Sequence, residues 1–103
     1  MNLPEDVKEV LKIKFTQEFH LANNILKEHL ELNNYLESER IIRCVVFLSE
    51  ASIESLKSNL NLAKQDPRDV MYLAEYEGDF EGHNVKRVRD FNGSFTVNGI
   101  LKN

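Results

Sequence analysis

The sequence predicts an all-α fold of about four helices joined as antiparallel hairpins, followed by a C-terminal extended arm or small β-hairpin. Apolar residues recur every three or four positions through most of residues 4–78, which is the spacing of a helix with one buried face. After Gly78 this spacing is lost and glycine-containing turns appear. A chain of 103 residues is enough for one domain. Within it, residues 1–80 form the helical part and 81–103 the arm.

The first helical pattern covers residues 4–32. Pro4 suits a first helical position, where its missing amide costs no hydrogen bond. The apolar residues also alternate with lysines around Ile13, as in a half-buried strand. We favour a helix, with a break near Thr16 as the alternative, so one helix or two elements both fit. The stripe consists of Val7, Leu11, Phe15, Phe19, Ala22, Leu26 and Leu30.

Two further helices are expected before residue 66. The second helix has two candidate starts: Asn34, which has capping-box spacing to Glu37, or Ser38. It runs to about Leu48, and the third helix covers residues 52–65. Their inward-facing positions are predicted to be Ile41, Cys44, Val45 and Leu48 in the second helix, and Ile53, Leu56, Leu60 and Ala63 in the third.

The stretch QDPRD marks the start of the last helix. The Asp66 carboxylate can accept hydrogen bonds from free amides of the next turn, and Pro67 follows at the first helical position. Asp69 adds negative charge near the positive end of the helix dipole. We expect this helix to end at Gly78 and to bury Val70, Leu73 and Ala74.

Beyond Gly78 the pattern predicts an arm. GDFEGHN reads as a loop, and Asn92-Gly93 between two apolar segments is typical of a hairpin turn. The arm is too apolar to be free in water and too short to form a core. We therefore expect it to dock on a helical surface of its own subunit or of a twin, covering Tyr72 and Tyr76.

Charge and composition disfavour several partners. Residues 1–80 hold 15 acidic and 9 basic residues, whereas 81–103 hold 2 acidic and 4 basic ones, and the net charge is −4. An acidic body repels polyanions, so nucleic acid is an unlikely partner and a membrane surface is not expected. A single cysteine, no apolar leader segment and no long apolar run predict a cytoplasmic protein.

No catalytic, cofactor-binding or metal-binding pattern is visible, so we expect neither an enzyme nor a cofactor. His20, His29 and His83 lack metal-ligand spacing. Cys44 lies within an apolar helix and is expected to be buried and structural. The acidic residues between 66 and 79 read as a solvated face; they are Asp66, Asp69, Glu75, Glu77 and Asp79.

The segments ERIIRCVVFLSEASIESLKSNLNLAKQDPRDVMYLAEYE and RVRDFNGSF resemble a group of short, uncharacterised bacterial proteins. The resemblance extends from about Phe19 to Phe95. It implies a compact helical protein without an assigned activity, and it implies no catalytic or binding residues.

The function predicted from these observations is a non-enzymatic interaction or adaptor module with a protein partner, a homodimer being one arrangement. The alternative is an acidic inhibitor or immunity-type protein that blocks a basic partner. Aromatic residues that the core does not need are interface candidates. The candidates are Tyr72, Tyr76, Phe91 and Phe95.

Overall fold

The computed structural model describes residues 3–32 and 38–101, with the backbone alone for Leu32. The elements in those residues confirm a helical fold with a small antiparallel hairpin towards the C-terminus. The candidate cap formed by Asn34 and Glu37 lies outside the described residues, whereas Ser38 occupies the N-cap position of the third helix. The elements are α1 (Glu5–Phe15), α2 (Phe19–Leu32), α3 (Glu39–Leu48), α4 (Ile53–Gln65), α5 (Pro67–Glu75), β1 (Tyr76–Asp79) and β2 (Asn84–Arg87).

The first apolar stripe is divided between two helices, so the chain has five described helices where the spacing alone predicts about four. The backbone breaks at Thr16, whose φ of 37° is outside the helical region, and a short 3₁₀ turn spans Thr16–Glu18. Helices α1 and α2 pack against each other across this turn. The stripe remains on the core side. All of its members are buried except Phe19, which is half-buried and packs against the core.

Helix α3 is the central element. It packs against α1, α4 and α5, and every residue from Ile41 to Val46 is buried. Helices on several sides explain why this short segment is apolar nearly all round. Its C-terminus is closed by Lys14 of α1, whose ammonium donates to the carbonyl oxygens of Val46, Phe47 and Ser49 at 2.7–2.8 Å.

The hairpin forms earlier in the chain than the Asn92-Gly93 pattern predicts. Strands β1 and β2 pair antiparallel with Tyr76 opposite Arg87, and the predicted loop is their connection. Gly78 has a φ of 132°, and a Cβ there would lie 2.4 Å from the Asn84 carbonyl oxygen, so a glycine is required.

The prediction of a hairpin turn at Asn92-Gly93 is wrong. The Gly93 amide donates to the Asp90 carbonyl oxygen at 2.9 Å, which closes a tight turn. Neither central residue of the predicted hairpin has the positive φ that a type I′ turn needs. The turn instead directs the Phe91 side chain into the core, where it is fully buried.

The arm docks on its own chain. Phe91 and Phe95 are both 0% exposed, and their ring centroids lie 5.4 Å apart. The Phe91 ring also contacts Phe47 of α3, with 5.2 Å between centroids. The segment from Val88 to Leu101 therefore contributes residues to the same hydrophobic core as the helices.

Candidate interaction surface

An aromatic cluster lies at the end of α5 and on the hairpin. Tyr72 and Tyr76 are four residues apart, and their rings meet edge to face with centroids 5.0 Å apart. The connection of the hairpin places Phe80 against Tyr72, with 5.2 Å between centroids. Leu73 and Phe80 are 46% and 38% exposed. We call Tyr72, Leu73, Tyr76 and Phe80 the aromatic surface.

Two predictions about this region are corrected. Leu73 was assigned to the buried face of the last helix, but that face consists of Val70, Ala74 and Glu75. The helix ends at Glu75, where the chain enters β1. With 3.6 residues per turn, Leu73 lies on the opposite side of Ala74 from Glu75, so it is exposed. The prediction that the arm covers the two tyrosines is also corrected: the Phe91 ring packs against Phe47 of α3 and against Phe95.

Tyr72 forms a wall shared by two surface grooves. The larger groove has a volume of about 350 Å³ and combines two arginines with two tyrosines. The smaller groove, of about 190 Å³, lies between α4 and α5 and includes Leu73. We call them the Arg40 groove and the Leu62 groove. The first is lined by Arg40, Arg68, Met71, Tyr72, Glu75 and Tyr76, and the second by Leu62, Asp69, Tyr72 and Leu73.

The floor of the Arg40 groove is a buried ion pair. Glu75 is 0% exposed, and its two carboxylate oxygens accept from Nε and Nη2 of Arg40 at 3.0 and 2.6 Å. Arg87 donates to the same carboxylate at 3.2 Å, and so does the backbone amide of Phe91 at 2.9 Å. The carboxylate therefore connects α3, α5, β2 and the segment of the arm that follows β2.

These partners keep Glu75 ionised. Burial raises the pKa of the carboxyl, because a charge is poorly solvated away from water. Hydrogen bonds from Arg40 and the Phe91 amide, with the charges of Arg40 and Arg87, outweigh burial, and the pKa is lower than usual. The interpretation of Glu75 as a solvated acid is therefore wrong.

A second ion pair repeats the arrangement one helical turn further along α3. Arg43 is buried and donates to the Asp6 carboxylate at 2.9 Å. The same carboxylate oxygen accepts from the backbone amide of Phe95 at 3.0 Å, and Arg43 also donates to the Phe91 carbonyl oxygen at 3.3 Å. Burial raises the pKa of Asp6, but Arg43 and the Phe95 amide more than offset it and leave the pKa lowered.

The two ion pairs fix the ends of the aromatic part of the arm. Glu75 holds the amide of Phe91 and Asp6 holds the amide of Phe95, so both phenylalanines are anchored through their backbone and their rings. Their assignment as interface residues is therefore corrected: both are core residues and offer no surface to a partner.

The sequence interpretation did not identify the residues that organise this region. Arg40, Arg43 and Asp6 carry no local motif, and the partners that connect them to other elements lie 35 or more positions away in the chain. The available signal was two arginines three residues apart within an otherwise apolar helix. Such a helix must pair these charges with acids from neighbouring elements.

The other candidate groups are placed as follows. Cys44 is 0% exposed, as predicted; burial, and then the charge of Glu75, raises the pKa of its thiol to about 12. A thiol with this pKa carries almost no thiolate at neutral pH, so Cys44 is unsuited to act as a nucleophile.

Asp66 is the N-cap of α5. Its carboxylate accepts from the Arg68 amide at 3.0 Å, and Asp69 lies in the first turn of the helix.

Three comparisons, with protein-family models, with curated proteins and with solved structures, found no match to this chain. In residues 3–32 and 38–101, no three His, Cys, Asp or Glu side chains are grouped so as to hold a metal ion. No helix in the same residues has the length and apolar character needed to cross a membrane.

Proposed function

We propose that this protein is a non-enzymatic interaction module that binds a protein partner through the aromatic surface. The observation that supports the proposal is the position of Tyr72, half-buried between two grooves and next to an exposed leucine. Tyrosine and arginine are enriched among the residues that dominate binding energy at protein interfaces. The Arg40 groove supplies both types within one concave surface.

The aromatic surface rests on a rigid support. The last turn of α5 is fixed by Glu75, which binds two arginines and the arm. Tyr72 and Tyr76 also restrain each other through their edge-to-face contact. A surface ordered before binding loses less conformational entropy on association, which favours affinity.

The proposal retains the location and partner class predicted from the sequence, a cytoplasmic protein that does not bind nucleic acid. A net charge of −4 disfavours polyanions, and the aromatic surface offers apolar contacts rather than a basic path. Imaging of a tagged protein in its own cells checks the location.

The binding experiment uses site-specific photo-crosslinking in the native host. A benzophenone amino acid replaces Leu73 in one variant and Leu21 in a control. Both leucines are exposed, at 46% and 50%, but Leu21 lies on α2 outside the two grooves. We expect a defined crosslinked species from position 73 and none from position 21. Mass spectrometry then identifies the crosslinked partner.

Binding of the identified protein is then measured with purified components. Tyr72→Ala should weaken it about tenfold or more, as for a central interface residue, whereas Leu21→Ala should have no effect. Equal crosslinking at both positions, or affinity unchanged by Tyr72→Ala, would contradict the proposal. An affinity that falls steeply as the salt concentration rises, and that is the same for Tyr72→Ala as for the native protein, would favour the acidic-inhibitor alternative.

A further inference from the structure

Two Asn-Gly pairs lie close together in the arm, Asn92-Gly93 and Asn98-Gly99. An asparagine followed by glycine is prone to spontaneous deamidation, because glycine has no Cβ to hinder the approach of its backbone nitrogen to the asparagine side chain. We propose that Asn98 is a deamidation site that the docked arm protects, and that its conversion prevents the arm from docking again. Asn92 carries the same chemistry without that protection.

The reaction needs only the chain and water. The glycine backbone nitrogen attacks Cγ of the asparagine carboxamide and forms a new C–N bond. The carboxamide nitrogen leaves as ammonia, taking the proton that the attacking nitrogen gives up, and a succinimide ring remains. Water then opens the ring at either of its carbonyl carbons, which leaves aspartate or isoaspartate. The net change is the gain of water and the loss of ammonia, so no oxidant or reductant is involved.

The two glycine nitrogens are held alike. The Gly93 amide donates to the Asp90 carbonyl oxygen at 2.9 Å, and the Gly99 amide donates to the Thr96 carbonyl oxygen at 3.0 Å. Each of these bonds closes a turn of the same length. The difference between the two sites therefore lies in the asparagine side chains.

The Asn98 carboxamide is held at both of its polar ends. Its oxygen accepts from the Asp90 backbone amide at 2.8 Å. Its nitrogen donates to the carbonyl oxygens of Asp90 and Ser94, both at 2.9 Å, and to that of Gly93 at 3.4 Å. Rotation of Cγ towards the Gly99 nitrogen breaks these bonds and leaves backbone groups of a non-regular segment without partners. The reaction at Asn98 therefore requires the arm to open first.

The Asn92 side chain is held less firmly. It is exposed and lies beside the Asp90 carboxylate, a surface contact that water can replace. The Asn92 backbone amide donates to the same carboxylate at 3.0 Å, and that bond does not restrain the carboxamide. Rotation of the side chain towards Gly93 breaks no buried hydrogen bond, so Asn92 can react in the folded protein.

Conversion of Asn98 changes what its side chain can bind. A carboxylate has no N–H group, so aspartate cannot donate to the carbonyl oxygens of Asp90, Gly93 and Ser94, and it places a negative charge against them. Isoaspartate adds a carbon to the main chain and displaces the groups that follow it. Either product disfavours the docked arm, so opening followed by deamidation is a one-way step.

Peptide mapping measures both sites in one sample. The full chain is incubated at mildly alkaline pH, and mass spectrometry of digests quantifies the deamidated product at each asparagine over time. In folded protein we expect Asn98 to react at least about tenfold more slowly than Asn92, because only molecules with an opened arm react. In urea-unfolded protein the two rates should be similar. Equal rates in the folded protein, or a rate at Asn98 that does not rise in urea, overturns the proposal.

Two substitutions test the consequence for the arm. Asn98→Asp reproduces one product of the reaction, and Asn92→Asp is the matched control, because it adds the same charge to the same turn region. Asn98→Asp should lower the urea midpoint clearly, whereas Asn92→Asp should leave it close to that of the native sequence. Failure of Asn98→Asp alone to fold is the extreme form of the expected result. Equal midpoints in the two variants would overturn the claim that conversion of Asn98 opens the arm.

Discussion

Two aromatic pairs in this molecule have the same spacing and opposite environments. Tyr72 and Tyr76 are four residues apart, as are Phe91 and Phe95, and the ring centroids lie 5.0 and 5.4 Å apart in edge-to-face contacts. The phenylalanines are fully buried, whereas the tyrosines line an open groove. Spacing and ring geometry therefore do not decide which pair enters the core.

The difference lies in the backbone around each pair. Tyr72 belongs to α5 and Tyr76 to its end and the first strand, where regular structure supplies partners for the main chain. The arm has no regular ladder at Phe91 and Phe95, and their amides bind the carboxylates of Glu75 and Asp6. A non-regular segment can be buried only when its polar groups find such partners.

The largest expected contrast comes from truncating one ring of each pair. Phe91→Ala removes a fully buried ring and should lower the free energy of unfolding by about 3–5 kcal/mol. Tyr72→Ala should lower it by less than about 1 kcal/mol, because the ring is half exposed and supports no core contact of comparable size. Urea denaturation of both variants measures the contrast, and similar losses would contradict the division into core and surface pairs.

Removing Glu75 tests whether its carboxylate anchors the arm. Glu75→Ala should cost about 2–3 kcal/mol, below the 3–5 kcal/mol typical of a fully buried pair, because the side chains of Arg40 and Arg87 are partly exposed and can be hydrated. Glu75→Gln should cost less, since its amide oxygen can still accept from the Phe91 amide. Equal losses of unfolding free energy in the two variants would show that the hydrogen bond from the Phe91 amide to position 75 contributes nothing to stability.

Acidification should weaken the same anchors. Asp6 and Glu75 have lowered pKa values in the folded protein, so folding favours their ionised forms. The stabilisation is fully present above the pKa values of the unfolded chain, near pH 4, and is lost as the pH falls through the lower folded values. Unfolding free energies from pH 7 to pH 2 should decline below about pH 4.5.

The acid dependence has its own control. Glu75→Gln cannot titrate, so its unfolding free energy should fall less steeply in that range than that of the native sequence. A native protein that gains stability on acidification, or a variant with the native slope, would contradict the assignment.

The smallest effect is expected at the start of α5. Asp66→Ala removes the acceptor for the Arg68 amide, so the first turn should fray and the urea midpoint should fall by less than in Glu75→Gln. Asp69→Ala is the matched control, because it removes a negative charge from the same turn and leaves the N-cap in place. A midpoint lowered as much by Asp69→Ala would assign the effect to charge rather than to capping.

The sequence by itself determined the features that depend on near neighbours. Helical spacing indicates the buried face of each long helix, and Asp66 followed by Pro67 indicates where α5 begins. The mixed signal near Thr16 left one helix or two elements open, and the structure shows the break. These features involve hydrogen bonds and side chains within one or two turns, so a short stretch of sequence contains all the information required.

Only the tertiary structure decided which charged and aromatic residues enter the core. Glu75 and Glu77 are two positions apart and alike in sequence, yet Glu75 is buried between arginines and the Glu77 side chain is 60% exposed. Arg43 and Phe95 reach partners 37 and 89 positions away. Burial of a charge requires a compensating partner at hydrogen-bonding distance, and the path of the chain in space alone brings that partner there.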